Sequence, residues 1–498
     1  MTKINMTKSF IILVCLLGGT IMKAQFTQIA KVVSENRESR AEYGTSVAIA
    51  KDFAIVGASR ETIASGAAYV YSKDDRGVWS YSQRLAAFDP NQGAEFGGGV
   101  KFSDDYLVVA AGRANVENIE RAGALYVYDY QNDNWEYSTK LVASDYSGDA
   151  KLGMNPTSMD VDGNTIVAGA PAENGWIGSV YVFTKEGGTW TETQKILSPE
   201  APTNDTFGVG VSISGDYLVI GASDVDRRKG ATYIYMKNSS GIWEYNQTLM
   251  ASDASNGSFF GNSVNISGDQ LVVGAYGTNS EQGAAYVYEK DNEGVWLEVQ
   301  KLNGNSSIEN AQFGWSTDIQ PNYISVSAPH IFGLEVGEAY FYKRESNGLW
   351  VEDQIILGED TIGEDFYGWS IAMHEKQLIA SAPWEDHDAN GENGIDRAGS
   401  AYIFEDSEML GGSTDNSLEV IFTVYPVPAK DHITIATNSG TISKIKLMNL
   451  QGRLIKEETL SVEREYNLDV SRIAQGIYFV NVYMQDGRMS TKKIIKIN

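Results

Sequence analysis

An acidic run near the end of the long repetitive part of the chain carries the clearest chemistry in the sequence. It reads Asp386-His387-Asp388-Ala389-Asn390-Gly391-Glu392-Asn393-Gly394-Ile395-Asp396, with oxygen-bearing side chains at alternate positions ahead of a glycine. Alternation in a tight turn aims several oxygens to one side, and a calcium ion takes about six to eight of them. Asp386, Asp388, Asn390 and Asp396 are therefore the candidate calcium ligands, although the run lacks the Glu that closes a helix-flanked site. An insertion turn that binds nothing has the same composition. Other chemistry is sparse. The four histidines, His330, His374, His387 and His432, form no H-E-x-x-H spacing. No G-x-S-x-G elbow is present. Gly97-Gly98-Gly99 opens a strand-like segment, not a helix, so it is no phosphate loop. Carboxylates are too numerous for a glycosidase pair to stand out, and the sequence leaves one open. No catalytic residue and no bound cofactor other than calcium is expected.

The elements that must position these residues repeat. An aromatic residue or Leu precedes Gly at Tyr43-Gly44, Phe96-Gly97, Leu152-Gly153, Phe207-Gly208, Phe260-Gly261, Phe313-Gly314 and Tyr367-Gly368, in steps of 53, 56, 55, 53, 53 and 54 residues. A constant period of this size marks a repeat architecture. Within most units an apolar run ends in small residues, as in Ile55-Val56-Gly57-Ala58 and Ile220-Gly221-Ala222, or Ser381-Ala382-Pro383 late in the chain. Gly-x-x-Tyr-x-aromatic follows, from Gly66 to Tyr71 in the first unit and from Gly399 to Phe404 in the last. Six units then add a Trp: Trp79, Trp135, Trp190, Trp243, Trp296 and Trp350. Tyr-Val-Tyr segments alternate their side chains across a strand. Gly two residues before five of the six Trp residues supplies a hairpin turn. Four strands per unit, repeated radially, predict a β-propeller of seven blades. A solenoid is the competing geometry. The chain ends favour a ring. The seventh unit lacks its Trp strand, while Phe26-Thr27-Gln28-Ile29-Ala30-Lys31 looks like a spare fourth strand. That segment is expected to complete the last blade and remove the open edge. Landmarks present in every unit are read as packing between blades rather than as a ligand cage.

Charge and compartment constrain the partners. The whole chain carries −26, of which residues 1–24 carry +3 and residues 420–498 carry +4, leaving −33 on residues 25–419. Such a body repels nucleic acid and anionic lipid, and no nucleic-acid partner is expected. Residues 1–24 read as a secretory signal peptide: Lys3 and Lys8 start it, Phe10 to Met22 is mostly apolar, and Ala24 precedes Gln25. No other stretch is a transmembrane candidate. The single Cys15 lies inside the signal, behind a Val14 too bulky for a lipidation site. Cleavage leaves no disulfide and no thiol chemistry.

Residues 405–419 are polar, include Gly411-Gly412 and read as a linker. Residues 420–498 lose the period and alternate as short strands, which predicts a small β-sandwich. Val424-Tyr425-Pro426-Val427-Pro428-Ala429, Asn449-Leu450-Gln451-Gly452-Arg453, Gly476-Ile477-Tyr478 and Lys492-Lys493-Ile494-Ile495-Lys496 follow in order. This segment resembles the type A sorting domain of the type IX secretion system of Bacteroidetes, with Val427 where that family has Asn. The resemblance implies that residues 420–498 engage the secretion machinery, and that the mature body is released or held at the cell surface. The seven units resemble the FG-GAP repeats of integrin-type propellers, best at Phe207-Gly208 with Ile220-Gly221-Ala222 and at Phe260-Gly261 with Val273-Gly274-Ala275. Many members of that family hold calcium between the Phe-Gly and Gly-Ala strands. This chain has only short turns there, such as Ser214-Gly215-Asp216, so those calcium sites do not carry over.

Two loop sets are expected to share one face of the propeller. One precedes each Phe-Gly, at Asp89 to Glu95, Asp145 to Lys151, Asp253 to Ser258 and Glu359 to Asp365. The other joins the second and third strands, at Glu117 to Arg121, Asp224 to Lys229 and Trp384 to Asp396. The expected function is non-enzymatic: extracellular binding or adhesion, with a protein or glycan partner on this face. The alternative is a secreted polysaccharide-acting enzyme with carboxylates in the funnel. Buried carboxylates clustered there would favour the enzyme, and a dispersed acidic rim would favour binding.

Overall fold

A computed structural model describes residues 26–199, 204–304, 310–331, 333, 335–406, 422–425, 429–437, 441–449, 454–474, 476–484 and 489–496. The expected signal peptide and most of the expected linker lie outside the described residues. The chain divides into two compact units, Met1–Leu410 and Gly411–Asn498.

The first unit contains seven four-stranded antiparallel sheets. Blade 1 runs through Tyr43–Ile49, Phe53–Ala58, Ala67–Lys73 and Trp79–Leu85, and blades 2 to 6 repeat this order. The innermost strands contact one another in sequence, and that of blade 1 also meets that of blade 7, Ile371–His374. The circle closes as the sequence predicts. Phe26–Val32 is the fourth strand of blade 7, with Gln28 opposite Phe404, Lys31 opposite Tyr402 and Val32 opposite Ala401. Thr27 and Phe26 extend the pairing to Glu405 and Asp406. The last blade therefore ends two residues beyond the expected boundary at 404, because the first strand offers partners that far.

The landmarks are explained by backbone contact between blades. A Cβ on Gly57 would lie 1.9 Å from the Gly97 carbonyl oxygen of the next blade, and one on Gly221 would lie 1.9 Å from that of Gly261. The Gly of Gly-Ala thus lets its strand touch the Gly of the following Phe-Gly. Gly66, at φ +86°, makes a parallel bridge to Phe96, and four later glycines repeat the bridge. The cores are shared between blades: Ile55, Val70 and Leu85 of blade 1 pack with Phe96, Leu107, Tyr126 and Trp135 of blade 2.

Outer strands would expose unpaired edges. Glutamine side chains cap them. Gln83 Nε2 donates to the Trp135 carbonyl and Gln83 Oε1 accepts from Trp135 N–H, both at 2.9 Å. Gln194, Gln247 and Gln300 form the same pair of bonds with Trp243, Trp296 and Trp350. Gln354 closes the series on Phe26. Near the axis, Asp and Ser side chains cap the inner strands. Asp160 accepts from Ile213 N–H at 3.0 Å, Ser212 from Ile266 N–H at 3.2 Å, Asp318 from Met373 N–H at 2.6 Å and Ser370 from Val47 N–H at 3.2 Å.

The second unit is the expected sandwich. One sheet orders Phe422–Tyr425, His432–Thr437 and Glu465–Asp469; the other orders Leu454–Glu463, Ile442–Asn449, Gly476–Met484 and Met489–Lys496. Ile433, Ile435 and Leu468 of the first pack with Ile445, Leu447, Val480 and Ile494 of the second. Ala429 is fully buried and bridges to Lys496, which ties two of the ordered motifs together.

Candidate ligand-binding face

The two loop sets do share a face. Glu95 N–H donates to the Ala64 carbonyl and Arg113 N–H to that of Ala94, and equivalent bonds recur around the ring. Four of the loops joining second and third strands contain a left-handed turn, with Thr62, Ile63 and Ala64 at φ +51°, +57° and +59° in the first. A branched residue such as Ile63 pays steric strain there. Backbone bonds from Ala64 to Arg60 and from Gly66 to Glu61 hold it in place.

Most of the acidic rim is scaffold. The first Tyr of Tyr-x-Tyr donates to a loop carboxylate, and that carboxylate binds a cation opposite the Tyr on the fourth strand. Tyr126 donates to Asp89 at 2.8 Å, and Lys140 meets Asp89 at 2.7 Å. Tyr286, Asp253 and Lys301 repeat this at 2.6 Å for both contacts, and Tyr402, Asp360 and Lys31 at 2.9 and 2.7 Å. Tyr181 and Lys195 share Asp145 and Glu173, while Tyr69 and Arg84 share the buried Glu61. The Lys301 ammonium and the Tyr286 hydroxyl hold the Asp253 carboxyl below its ordinary range. Blades 4 and 6 carry Thr248 and Ile355 opposite the Tyr and depart from the pattern.

What the scaffold leaves free is the residue before each Phe-Gly. It is left-handed in all seven units: Glu42, Glu95, Lys151, Thr206, Phe259, Gln312 and Phe366 have φ between +49° and +58°. In units 5 and 7 it is Phe. These two rings belong to a continuous aromatic arc. Phe259 stacks on Tyr276 with centroids 4.8 Å apart; Tyr276 meets Trp315 at 5.0 Å, and Trp315 meets Trp369 at 5.0 Å. Trp369 lies 6.2 Å from Phe366, which meets Trp384 at 4.1 Å. Guanidinium groups bracket the arc, Arg228 at 5.3 Å from Phe259 and Arg397 at 3.5 Å from Trp384. All six rings except Phe366 are only half-buried.

Two cavities open beside the arc. The larger, about 600 Å³, is lined by Phe366, Trp369 and Trp384 with Glu42, Arg60 and Glu364. The smaller, about 220 Å³, has Trp315 and Trp369 on one side and Asn155, Thr157 and Asn262 among its polar lining. Trp369 belongs to both. Between Glu364 and Phe366 in sequence, burial pushes the Asp365 carboxyl up to about 7, with Glu385 and Asp386 adding to the rise.

The funnel itself is narrow. Inner-strand residues of the blades enclose about 130 Å³ there, with Lys101 and Asp318 among them. Lys101 Nζ lies 3.4 Å from Asp160 Oδ1. Burial lowers the Lys101 pKa, but Asp160 and Asp318 more than offset this and hold it above its ordinary value. Burial pushes Asp318 up to about 6 against the attraction of Lys101, and Asp160 adds to the rise. The remaining oxygens of both carboxylates accept the inner-strand N–H groups.

The run at 386–396 spends its oxygens on its own turns. Asp388 Oδ1 accepts from the N–H groups of Asn390 and Glu392, and its Oδ2 from the Asn393 side chain. Those bonds hold the Asp388 carboxyl at about 2. Asp386 Oδ1 accepts from Arg397 N–H at 2.7 Å, and Asp396 pairs with Arg40 at 2.9 Å. Asp386, Asp388, Asn390 and Asp396 are thus not brought to one point. Among the described residues no three His, Cys, Asp or Glu side chains converge as a metal requires. Alternation selects turn caps here, because each carboxylate meets a backbone or arginine donor nearer than any shared centre.

Residues 26–71, 79–128, 190–235, 243–288 and 350–404 match the family model of the FG-GAP repeat, and residues 423–497 match that of the secretion system C-terminal sorting domain. The chain is an FG-GAP repeat propeller with a secretion sorting tail. No curated protein matches it. Two units of the FG-GAP propeller fall outside the matched segments: one has Leu152 in place of Phe, and the other ends its second strand at Ser327-Ala328-Pro329. Both nonetheless form the same sheet, with Ala168 opposite Tyr181 and Val326 opposite Tyr340. The short turns between first and second strands bind the preceding blade: Gly215 N–H donates to Asp162 at 2.6 Å and Gly268 N–H to Ser214 at 3.1 Å. The sorting domain marks the FG-GAP protein for export by the type IX system to the cell surface or beyond. Among the described residues no helix is long and apolar enough to cross a membrane.

Proposed function

We propose that this exported propeller is a non-catalytic binding protein, and that it takes its extracellular ligand on the loop face across blades 5 to 7. The aromatic arc from Phe259 to Trp384 carries this reading. Its rings stand at positions next to the repeat landmarks, and the other blades carry Thr45, Gly98, Met154, Val209 and Asn262 where blades 6 and 7 carry Trp315 and Trp369. A scaffold needs the same residue in every blade; a ligand contact does not. Half-exposed rings beside a few polar groups in a cleft of about 600 Å³ are what a binding site presents.

The enzyme alternative draws on Asp160 and Asp318, the carboxylates clustered in the funnel. Their oxygens are taken by Lys101 and by backbone donors, and the cavity that Lys101 and Asp318 line is about 130 Å³. Glycoside hydrolysis needs two free carboxyls roughly 5–9.5 Å apart around a sugar. The geometry therefore weighs toward binding.

The test is binding of the full chain to glycan and protein arrays, with Trp315→Ala and Trp369→Ala beside the wild type. Retained signal in both folded variants would move the ligand off this face. Release of shortened glycan by the wild type would replace the binding reading with the enzymatic one.

A further inference from the structure

We propose that Trp369 divides the loop face into two adjoining subsites that hold consecutive rings of a neutral oligosaccharide. This rests on the binding reading above and adds the chemical class of the ligand.

Trp369 is the one aromatic side chain shared by two cavities of unequal size, about 600 and about 220 Å³. The larger is walled by Phe366 and Trp384, and the smaller by Trp315. Each also offers hydrogen-bonding side chains: Glu42, Thr45 and Glu364 in the larger, Asn155, Thr157 and Asn262 in the smaller. A sugar ring has an apolar C–H face and a rim of hydroxyls. Aromatic walls bind the first and amide, hydroxyl and carboxylate groups bind the second. Two such cavities meeting at one ring suit a linear molecule whose repeat is a single ring. A protein partner would instead favour a broad contact whose centre is depleted of charge.

Neutrality follows from the charge arrangement. Arg60 lies 3.1 Å from Glu42, so the larger cavity holds that cation already paired. Arg228 is bonded to Asp224 at 3.1 Å and lies over Phe259, and Arg397 lies over Trp384. No unpaired cation among the described cavity residues awaits a sulfate or uronate, and the body carrying −33 repels polyanions at range.

Isothermal titration of the full chain with neutral gluco-, manno-, galacto- and xylo-oligosaccharides of increasing length tests the proposal. Affinity for one series should rise roughly tenfold from one ring to two, and again by less beyond three. Trp369→Ala should remove that length dependence, while Trp369→Phe, which keeps a ring between the cavities, should retain part of it. Thermal melting of each variant establishes that it is folded, and Trp369→Phe with Glu364→Gln carries the test if the Ala variant is not. Absence of binding to every neutral series, or affinity independent of length, overturns the proposal. So does a preference for sulfated or uronate-bearing glycans of equal length. If Trp369→Ala abolishes binding of a protein on the array while no oligosaccharide binds, the oligosaccharide class is wrong and the loop face stands. If arc variants change no binding at all, the loop face is wrong as well.

Discussion

Lys101→Met removes the cation from the centre of the ring and gives a quantitative test of how the funnel is held. Lys101 touches Asp160 at 3.4 Å and offsets the charge of Asp318, which burial already pushes up to about 6. Removing one partner of a buried ion pair costs about 3–5 kcal/mol, because the remaining charge keeps its desolvation penalty. Lys101 and Asp160 are only partly buried and Asp318 lines the funnel cavity, which places the expected loss at ~3 kcal/mol. The pH dependence fixes the mechanism. Asp318 has a folded pKa above its ordinary value of 3.8. The folded state therefore binds the proton more tightly, and stability at this site increases as pH falls through about 6 toward 4. For the wild type the gain between pH 7.5 and 5 is about 1.4 kcal/mol. Without Lys101 the Asp318 pKa rises further, so the gain on acidification becomes larger. Asp365, pushed up to about 7, titrates in the same window, but it cancels when variant and wild type are compared at each pH. Urea unfolding of both proteins at pH 5, 6, 7 and 8 reads the difference. The gap should be widest at pH 8 and narrow by about 1 kcal/mol or more at pH 5. Lys101→Met/Asp318→Asn should recover much of the loss. A gap of constant size across the pH series, or a double variant no more stable than the single one, would refute the charge account.

Gly221→Ala puts a methyl group 1.9 Å from the Gly261 carbonyl oxygen, so blades 4 and 5 must separate; urea unfolding should show a loss of at least ~3 kcal/mol, the upper range of overpacking. Phe26→Ala removes a buried ring set against Phe341 at 4.6 Å, at the strand that closes the circle. Its loss should be about 3–5 kcal/mol, and limited proteolysis should then cut first near the N-terminal strand. Asp388→Ala frees the N–H groups of Asn390 and Glu392 and should lower the melting temperature slightly, by the same amount with calcium or with chelator. A chelator-dependent melt in the wild type would instead support calcium at Asp386, Asp388, Asn390 and Asp396.

The architecture was legible because glycine recurs at two positions of every unit. Gly97 and Gly66 stand where a Cβ would enter the backbone of a neighbouring blade, and Gly holds both positions in all seven units, while the position of Gly57 admits Ala110, Ser327 and Ser381. The closing strand was legible for a similar reason: Phe26 to Lys31 repeats the outer-strand pattern without its three partners. The fate of the acidic residues was not. Asp89, Asp145 and Asp253 look in sequence like a free acidic rim, yet each is bound by a Tyr two strands away in order and by a Lys next to that Tyr. Composition counts charges and cannot see this pairing, which depends on the register that sets Tyr126 opposite Lys140. The run at 386–396 hides its partners in the same way, since nothing in the alternation of Asp386, Asp388 and Asn390 reveals that Asp386 accepts the Arg397 N–H or that Asp396 pairs with Arg40.

The aromatic arc was hidden by the repeat that frames it. Phe259 and Phe366 precede Phe260 and Tyr367, Trp315 and Trp369 follow Gly314 and Gly368, and Tyr276 follows Ala275. Each reads as an extension of its landmark when units are compared for what they share. Compared for how they differ, the same positions separate blades 5 to 7 from the rest. The backbone explains why variation can gather there: the residue before each Phe-Gly is left-handed in every unit, and in six of the seven its N–H is bonded to the neighbouring loop, whatever its side chain. Placing Phe in that conformation costs roughly 1–2 kcal/mol relative to Gly or Asn. The fold tolerates the strain twice on one side of the ring, at Phe259 and Phe366, which bracket Trp315 and Trp369. In a repeat protein, then, the constant positions report the scaffold, and the site is sought where identical backbone carries unequal side chains.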